Sequence, residues 1–419
     1  MLQKPKGTMD IYGKDAKKWI YIQHLIHELC EKYNYTYIKT PTFEASELFH
    51  RGVGESTDII TKETYDFIDR GDRAMTLKPE GTAGAVRSFI ENKMFANPIQ
   101  PVKMYYIGSA FRYERPQSGR LREHTQFGVE VLGSDNPMVD VEIISIAVNL
   151  YQLLGLKGVK VKINSLGDEE SRHEYKEALI NYFKPCINKL CSDCQQRIKK
   201  NPLRVLDCKV DCENELMLKA PKTIDYLNED SKQRFEMVKE YLETLEIDYE
   251  VDPNLVRGLD YYSHTVFEIQ ADIEGFGSQN TLCGGGRYNN LVSTLGGPDV
   301  AGAGFGMGLE RLMLALEKEE IDITKNDRLD LFIVNLCEDS DEILRLCQNI
   351  RLNGYSVEID YLSKNLKGQF KQVERLNPRY FIVIGDDELK SGYVNIKDND
   401  TKEEEEIEID NIIGYLDVR

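Results

Sequence analysis

The chain has 419 residues, 41% of them hydrophobic, which suits two or three domain cores at about 150 residues each. Its 71 acidic and 53 basic side chains leave a formal charge of −18, which opposes non-specific binding to nucleic acid, so a polyanion must meet a local basic patch. The opening MLQKPKGTMDIYGKD has no apolar signal core, and no later run reaches the roughly 20 apolar residues of a membrane span, so a soluble cytoplasmic protein without membrane contact is expected.

In chain order, Trp19, Ile22, Leu25, Ile26, Leu29 and Tyr33 recur at spacings of three and four, predicting an amphipathic helix over residues 15–34. A strand from Tyr35 to Thr40 follows and is stopped by Pro41. Further strands are predicted at Lys103 to Ile107, Gly128 to Leu132, Val159 to Ile163 and Thr265 to Ile269, with a long helix from Asp140 to Leu154. Strands and helices alternate without the short period of a barrel or doubly wound sheet, which favours an α+β domain over 1–325. Residues 166–230 read as a polar, helix-rich insertion around Cys186, Cys191, Cys194, Cys208 and Cys212. After a polar break, residues 328–419 alternate strands (LDLFIVNL, YSVEIDY, YFIVIG) with helices at 339–353 and 364–377, a separate α/β domain. The acid run Glu403 to Glu406 reads as a solvated hairpin edge.

Four stretches carry chemistry. FRYERPQSGRLREHTQFGVEVLG, from Phe111, holds Arg112, Arg115, Arg120 and Arg122 in one hairpin-shaped segment; planar guanidiniums grip phosphates bidentately, although a surface hairpin paired to Glu114 and Glu123 would also account for them. AGAGFGMGLERLMLALE, from Ala301, runs from glycines into a helix with Arg311 in its first turns, where it could reach phosphates; the alternative is a tightly packed strand-to-helix turn. TLKPEGTAGAVR places Glu80 and Thr82 at a helix head, fit to hold an ammonium group or simply to start the helix. CGGGRYNNL, by itself, marks a turn. A fifth stretch, RGLDYYSHTVFEI from Arg257, sets a guanidinium, a carboxylate and two phenols before a strand.

Together these motifs resemble the class II aminoacyl-tRNA synthetases: the arginine hairpin and GMGLER resemble motifs 2 and 3, and the first helix with YIKTP resembles motif 1. RGLDYY and GGGRYNNL resemble the two signature peptides of the histidyl-tRNA synthetases of bacterial type, as do KPKGTMDI, NPLRVLDCK and the tail's LKGQFKQVERLNPRYFIVIGDDEL along nearly the whole chain. The resemblance implies an antiparallel class II sheet with helices, a helical insertion and a C-terminal anticodon-binding α/β domain. It implies ATP-dependent ligation of L-histidine to tRNA(His) through histidyl-adenylate, with release of AMP and pyrophosphate.

Residue by residue, the resemblance implies that Arg112 holds the α-phosphate, with Glu114, Arg120 and Arg311 completing the ATP site and Arg257 stabilising the transition state. It further implies that Glu80, Thr82 and Gln126 hold the amino group of histidine, and Glu130, Tyr262 and Tyr288 its ring. Mg²⁺ would accompany ATP, and motif 1 implies a homodimer. Gln117 would face the tRNA acceptor end, while Lys364, Lys367, Lys371 and Arg375 recur at helical spacing as a basic stripe for tRNA; an ordinary solvated helix face has the same spacing. Three positions depart from the family pattern: Lys78 stands for arginine, Asn290 for glycine, and His124 for a phenylalanine that stacks on adenine. No metal ligand is assigned. Cys191, Cys194, Cys208 and Cys212 have spacings compatible with structural zinc, but free buried thiols are the preferred reading. The alternative function is that of a non-catalytic, histidine-binding regulatory subunit of ATP phosphoribosyltransferase, which generally lacks the tail and part of the arginine set.

Overall fold

The structure is a computed structural model that describes residues 2–54, 57–206, 208, 210–211, 214–274, 280–324, 328–337 and 340–418. The chain divides into two compact units, Met1–Ile323 and Thr324–Arg419. Eleven strands lie in the first: β1 Thr36–Tyr37, β2 Phe43–Ala45, β3 Tyr65–Ile68, β4 Ala74–Leu77, β5 Val102–Phe111, β6 Glu123–Leu132, β7 Val159–Ser165, β8 Tyr249–Val251, β9 Ser263–Ala271, β10 Thr281–Arg287 and β11 Gly302–Gly308. Eight form one sheet in the order β1-β5-β6-β11-β10-β9-β7-β8, antiparallel except for its two outermost pairs, and β2-β4-β3 form a small second sheet. The strand expected from Tyr35 to Thr40 shrinks to Thr36–Tyr37 because only this segment pairs with β5. CGGGR is no turn but the last five residues of β10, and GAGFGMG is likewise the central strand β11.

One face of the large sheet is covered by the helices Lys14–Lys32, Pro137–Leu153 and Glu229–Thr244, whose Ile22, Ile26, Ile144, Leu150, Val238 and Leu242 share a core with Phe127, Phe267 and Phe305 from the strands. Helix Pro137–Leu153 starts where Asn136 accepts the Met138 N–H at 2.9 Å, with proline supplying the preset φ of a first turn. Its Asp140 is buried against the fully buried Arg287 at the end of β10, with Nη2 to Oδ2 at 3.0 Å. Arg287 spends its remaining donors on the carbonyls of Ser134 (2.9 Å) and Asn136 (3.2 Å). The signature-peptide arginine is thus a clamp between sheet and helix. His264, the second residue of β9, has φ of 46°, in the left-handed region, and its backbone bonds both Leu166 and Gly167.

Within the insertion, helices Glu169–Phe183 and Ser192–Lys200 pack Tyr175, Leu179, Phe183 and Ile198 into a small core of their own. At its edge Cys191, Cys194 and Cys208 converge with Asp211, while the fourth thiol considered from sequence, Cys212, lies outside the described residues. No helix among the described residues is long and apolar enough to cross a membrane.

The second unit holds β12 Leu331–Asn335, β13 Val357–Ile359, β14 Tyr380–Ile384, β15 Tyr393–Asp398 and β16 Glu404–Glu408, ordered β13-β12-β14-β15-β16. The first three are parallel and the last two antiparallel, so the acid run forms the outer edge of the sheet. Helix Leu366–Leu376, capped by Asn365, buries Gln369 and Val373 on one face. Lys367, Lys371 and Arg375 are exposed on the helix. Lys364 falls before the cap and pairs with Asp360 at 3.8 Å, so the expected four-residue stripe contains three.

Asp140 also takes Arg234 Nη2 at 3.3 Å, so one buried carboxylate faces two guanidiniums. Asp140→Asn removes the counter-ion of both and is expected to cost about 3 to 5 kcal/mol in urea denaturation, more than Arg287→Leu, after which Asp140 keeps Arg234. An Asp140→Asn loss no larger than that of a surface carboxylate would refute the clamp.

Candidate active site

The large sheet positions a cavity of about 230 Å³ lined by Glu80, Thr82, Arg112, Glu114, Arg120, His124, Gln126, Arg257, Tyr262, Glu268, Glu310 and Arg311, among others. The four predicted phosphate arginines therefore reach one space from three elements: Arg112 and Arg120 from the segment joining β5 and β6, Arg311 from the helix Leu309–Lys318, and Arg257 from the loop before β9. Each is held by an acceptor. Arg112 Nε donates to Pro79 O at 2.9 Å, and Arg120 pairs with Glu114 at 3.0 Å. Arg257 pairs with Glu268, and Arg311 donates to the Thr281 carbonyl. Arg115 is exposed and Arg122 stacks on Tyr113 at 3.9 Å, so only half of the hairpin's arginines enter the cavity. Gln117 is exposed at the tip, bridged backbone to backbone with Arg120.

Register explains how Arg257 lies flat on the sheet. Gly284 of β10 is the cross-strand partner of Glu268, and a Cβ on Gly284 would overlap the guanidinium. Gly304 of β11 is opposite Glu130, and a Cβ there would overlap its carboxylate. The glycines of the two strands make room for the site's own side chains. The sequence reading of CGGGR as a turn missed this crowding and Glu268 with it, since Glu268 is one of several polar residues in SHTVFEIQA and carries no local signal.

The electrostatics follow from this crowding. Burial, then the cations of Arg112, Arg120 and Arg311, push His124 down to about 3, so it is a neutral ring at physiological pH. Burial and the nearby Arg120 lower Arg311 to about 10. Burial raises Glu310 to about 7; one of its oxygens accepts the Thr125 N–H at 2.8 Å, while Oε2 is buried without a hydrogen-bond partner among the described residues.

The other end of the cavity is acidic and phenolic. Glu80 accepts the N–H groups of Thr82 (3.0 Å) and Ala83 (2.7 Å) at the head of helix Thr82–Glu91, and Gln126 accepts that of Gly81 at 2.9 Å. Glu80 is therefore both a helix cap and a cavity residue, and burial raises its pKa against these bonds. Tyr262 lines the cavity, and Tyr261 packs at 4.7 Å from it. Glu130 and Tyr288 do not line it. They are fully buried, with the Tyr288 hydroxyl donating to Glu130, which also accepts from Tyr106 at 3.2 Å. Burial, opposed by these hydroxyls, raises Glu130 to about 8.

The RGLD loop is held from the insertion. Arg204 donates to the Gly258 carbonyl at 2.6 Å and pairs with Asp58 at 3.0 Å, and Asn201 donates to Asp260 at 2.7 Å. Although burial opposes it, the cations of Lys62, Arg197 and Arg204 hold Asp58 below the usual carboxylate range. Asp260 thus ties the loop to the insertion, and Asn201 and Arg204, in the NPLRVLDCK stretch noted for its resemblance alone, are the residues that hold it.

The sequence model described as histidyl-tRNA synthetase matches residues 7–312, and that described as an anticodon binding domain matches residues 330–419. The chain is 52% identical to the histidine–tRNA ligase of Anoxybacillus flavithermus, over 99% of this chain and 98% of that protein. It is 51% identical to that of Bacillus subtilis, over 98% and 97% respectively. The crystal structure of apo Staphylococcus aureus histidyl-tRNA synthetase superimposes with a TM-score of 0.85 at 46% identity, covering 99% of this chain and all of that one. An ATP phosphoribosyltransferase regulatory subunit/histidyl-tRNA synthetase from Bacillus halodurans, at 21% identity and a TM-score of 0.66, shares the fold. With its arginine-lined cavity, one signature peptide in the loop before β9 and the other starting on β10, and a second unit matching the anticodon-binding module, the chain belongs to the histidyl-tRNA synthetase family.

Proposed function

We propose that this protein joins L-histidine to tRNA(His) in two steps, activation by ATP to histidyl-adenylate and transfer to the terminal adenosine, with release of pyrophosphate and then AMP. The observation that carries this reading is the convergence of Arg112, Arg120, Arg257 and Arg311 on one cavity whose other end presents Glu80, Thr82, Gln126 and Tyr262. A triphosphate suits the first group and a zwitterionic amino acid the second. In activation, a histidine carboxylate oxygen forms a bond to the α-phosphorus as the bond to the β-phosphate oxygen breaks. The nucleophile is already ionised at neutral pH, so the protein's task is to hold two anions together. Arg112 and Arg257 lie against the α-phosphate, Arg120 and Arg311 hold the distal phosphates, and neutral His124 offers its ring to adenine.

Glu310 and Glu114 would hold Mg²⁺: the unpartnered Glu310 Oε2 and the carboxylate of Glu114 are hard oxygen donors beside the phosphate arginines. When bound, the ion neutralises part of the triphosphate charge. Glu80 and Gln126 receive the α-ammonium group, Tyr262 and the Glu130–Tyr288 pair beneath it serve the imidazole, Gln117 meets the acceptor end, and the Lys367, Lys371 and Arg375 stripe meets the tRNA. Both the second unit and all four arginines favour a synthetase over a regulatory subunit. Exposed Ile20 and Tyr21 on the first helix and Tyr37 on β1 support a homodimer across motif 1, and the reaction places the protein in the cytoplasm.

Histidine-dependent exchange of pyrophosphate into ATP is expected, and folded protein showing no exchange with histidine above other amino acids would refute the proposal. Arg257→Ala should lower exchange about 10²- to 10³-fold, the usual loss for one preorganised donor, with histidine affinity little changed. Reversing Lys367, Lys371 and Arg375 to glutamate should raise the KM for tRNA by at least about tenfold, or 1.4 kcal/mol, and leave exchange intact. Unchanged charging would remove the stripe from the tRNA surface. The value for Glu130 is raised from 4.5 to about 8, so the stability it contributes is full below about pH 4.5 and is lost as pH rises through 8. The urea midpoint of the ligand-free protein should accordingly fall between pH 5 and 8, and Glu130→Gln should flatten that slope; an unaltered slope would show that Glu130 is not its source.

A further inference from the structure

The insertion contains a cluster that the synthetase reaction does not use. Cys191, Cys194, Cys208 and Asp211 each offer one ligand atom, and all four atoms lie within 4.8 Å of one another. They come from two segments with the same local design. In Cys191-x2-Cys194, the Cys194 N–H donates to Cys191 Sγ at 3.5 Å; in Cys208-x2-Asp211, the Asp211 N–H donates to Cys208 Sγ at 3.4 Å. Each segment therefore turns its first and fourth side chains to one side and points an amide at the first sulfur. Such amide donors stabilise thiolates and orient them as ligands.

The distances suit a tetrahedral ion. A Zn–S bond of about 2.3 Å gives a sulfur-to-sulfur edge of about 3.8 Å. Cys191 Sγ and Cys208 Sγ are 3.7 Å apart, and Cys208 Sγ is 3.8 Å from Asp211 Oδ2. Asp211 is fixed in place by accepting the Cys191 N–H at 3.0 Å, which ties the two segments together. Three soft sulfurs and one carboxylate, mostly buried, match zinc rather than calcium or magnesium, which take all-oxygen shells.

We propose that Cys191, Cys194, Cys208 and Asp211 form a structural Zn²⁺ site that closes the loop carrying Asn201 and Arg204. The preference for free thiols drawn from spacing is reversed by the convergence, and Asp211 takes the fourth place. The site's role is indirect. Asn201 and Arg204 lie between the two ligand pairs and hold Asp260 and Gly258 of the catalytic loop. The core beneath them is small and its elements are short, the situation in which a metal staple contributes most to order.

The full-length protein, prepared under reducing conditions without a metal-binding tag and loaded with Zn²⁺, is expected to retain about one equivalent per chain after desalting. Loading with Co²⁺ instead should give the intense visible bands and sulfur-to-cobalt charge-transfer absorption of a tetrahedral thiolate site. Asp211→Ala should weaken Zn²⁺ binding at least about tenfold in competition with a chromogenic chelator, while Cys212→Ser binds as wild type. Because Cys208→Ser can fail to fold, the cobalt spectrum of the wild-type chain is the primary readout. Absence of both stoichiometric zinc and the cobalt-thiolate bands would overturn the site, as would a Cys191–Cys208 disulfide in reduced preparations. Zinc lost in Cys212→Ser but kept at full affinity in Asp211→Ala would overturn the assignment of Asp211.

Discussion

Four guanidinium groups share one cavity, and Coulomb repulsion among them has to be balanced before any anion arrives. The chain does this with short, local acceptors: Glu114 for Arg120, Glu268 for Arg257, and the carbonyls of Pro79 and Thr281 for Arg112 and Arg311. Because these partners sit on separate strands and loops, the balance can hold only if the sheet brings them into register. Much of the fold serves that demand. Gly284 must lack a side chain for Arg257 to lie across β10, and the residue opposite it must be Glu268. His124 stays uncharged among three cations, which spares the site a further positive group. A polyanion entering such a cavity finds donors already oriented and gives back little reorganisation energy, which is the physical content of preorganised catalysis.

What could be read without coordinates was chiefly the chemistry that repeats in recognisable order. Arg112, Arg120, Arg257 and Arg311 were legible because guanidiniums at glycine-rich or hairpin positions are unusual and their stretches match a family pattern. The cores were legible too, since Ile22, Ile26 and Leu29 keep helical spacing. Counter-ions were not. Glu268 lies at an ordinary strand position, and its importance follows from pairing with Gly284, a long-range fact. Glycine content misled for the same reason: in β10 and β11 it reflects cross-strand crowding, whereas locally it signals a turn. Lys364 shows the limit of periodicity, since Asn365 caps the helix one residue later and removes it from the stripe. The position of Glu130 and Tyr288, bonded to one another outside the cavity lining, also required coordinates.

The insertion joins this scheme through the loop that begins with Arg257. Arg204 and Asn201 reach out of a small helical core to the backbone of Gly258 and the carboxylate of Asp260, and Asp58 ties Arg197 and Arg204 to the catalytic unit. A segment that could have been a mere surface addition therefore carries hydrogen bonds that hold the loop bearing Arg257. Charge-assisted bonds of this kind are sensitive to small displacements, so order in the insertion and the geometry of the arginine-lined cavity are coupled.

The acidic edge of the second unit has a consequence of its own. Glu404, Glu405 and Glu406 lie exposed on β16, the outermost strand on one side of the sheet, while Lys367, Lys371 and Arg375 are carried by a helix packed on β12. Like charges along a sheet border repel a second border of the same kind, so the open backbone groups of β16 are protected from pairing with another copy. The same separation gives the unit an electric polarity. Any polyanion near this unit would be attracted on the helix side and repelled at the glutamate rim, a bias that acts through solvent before contact.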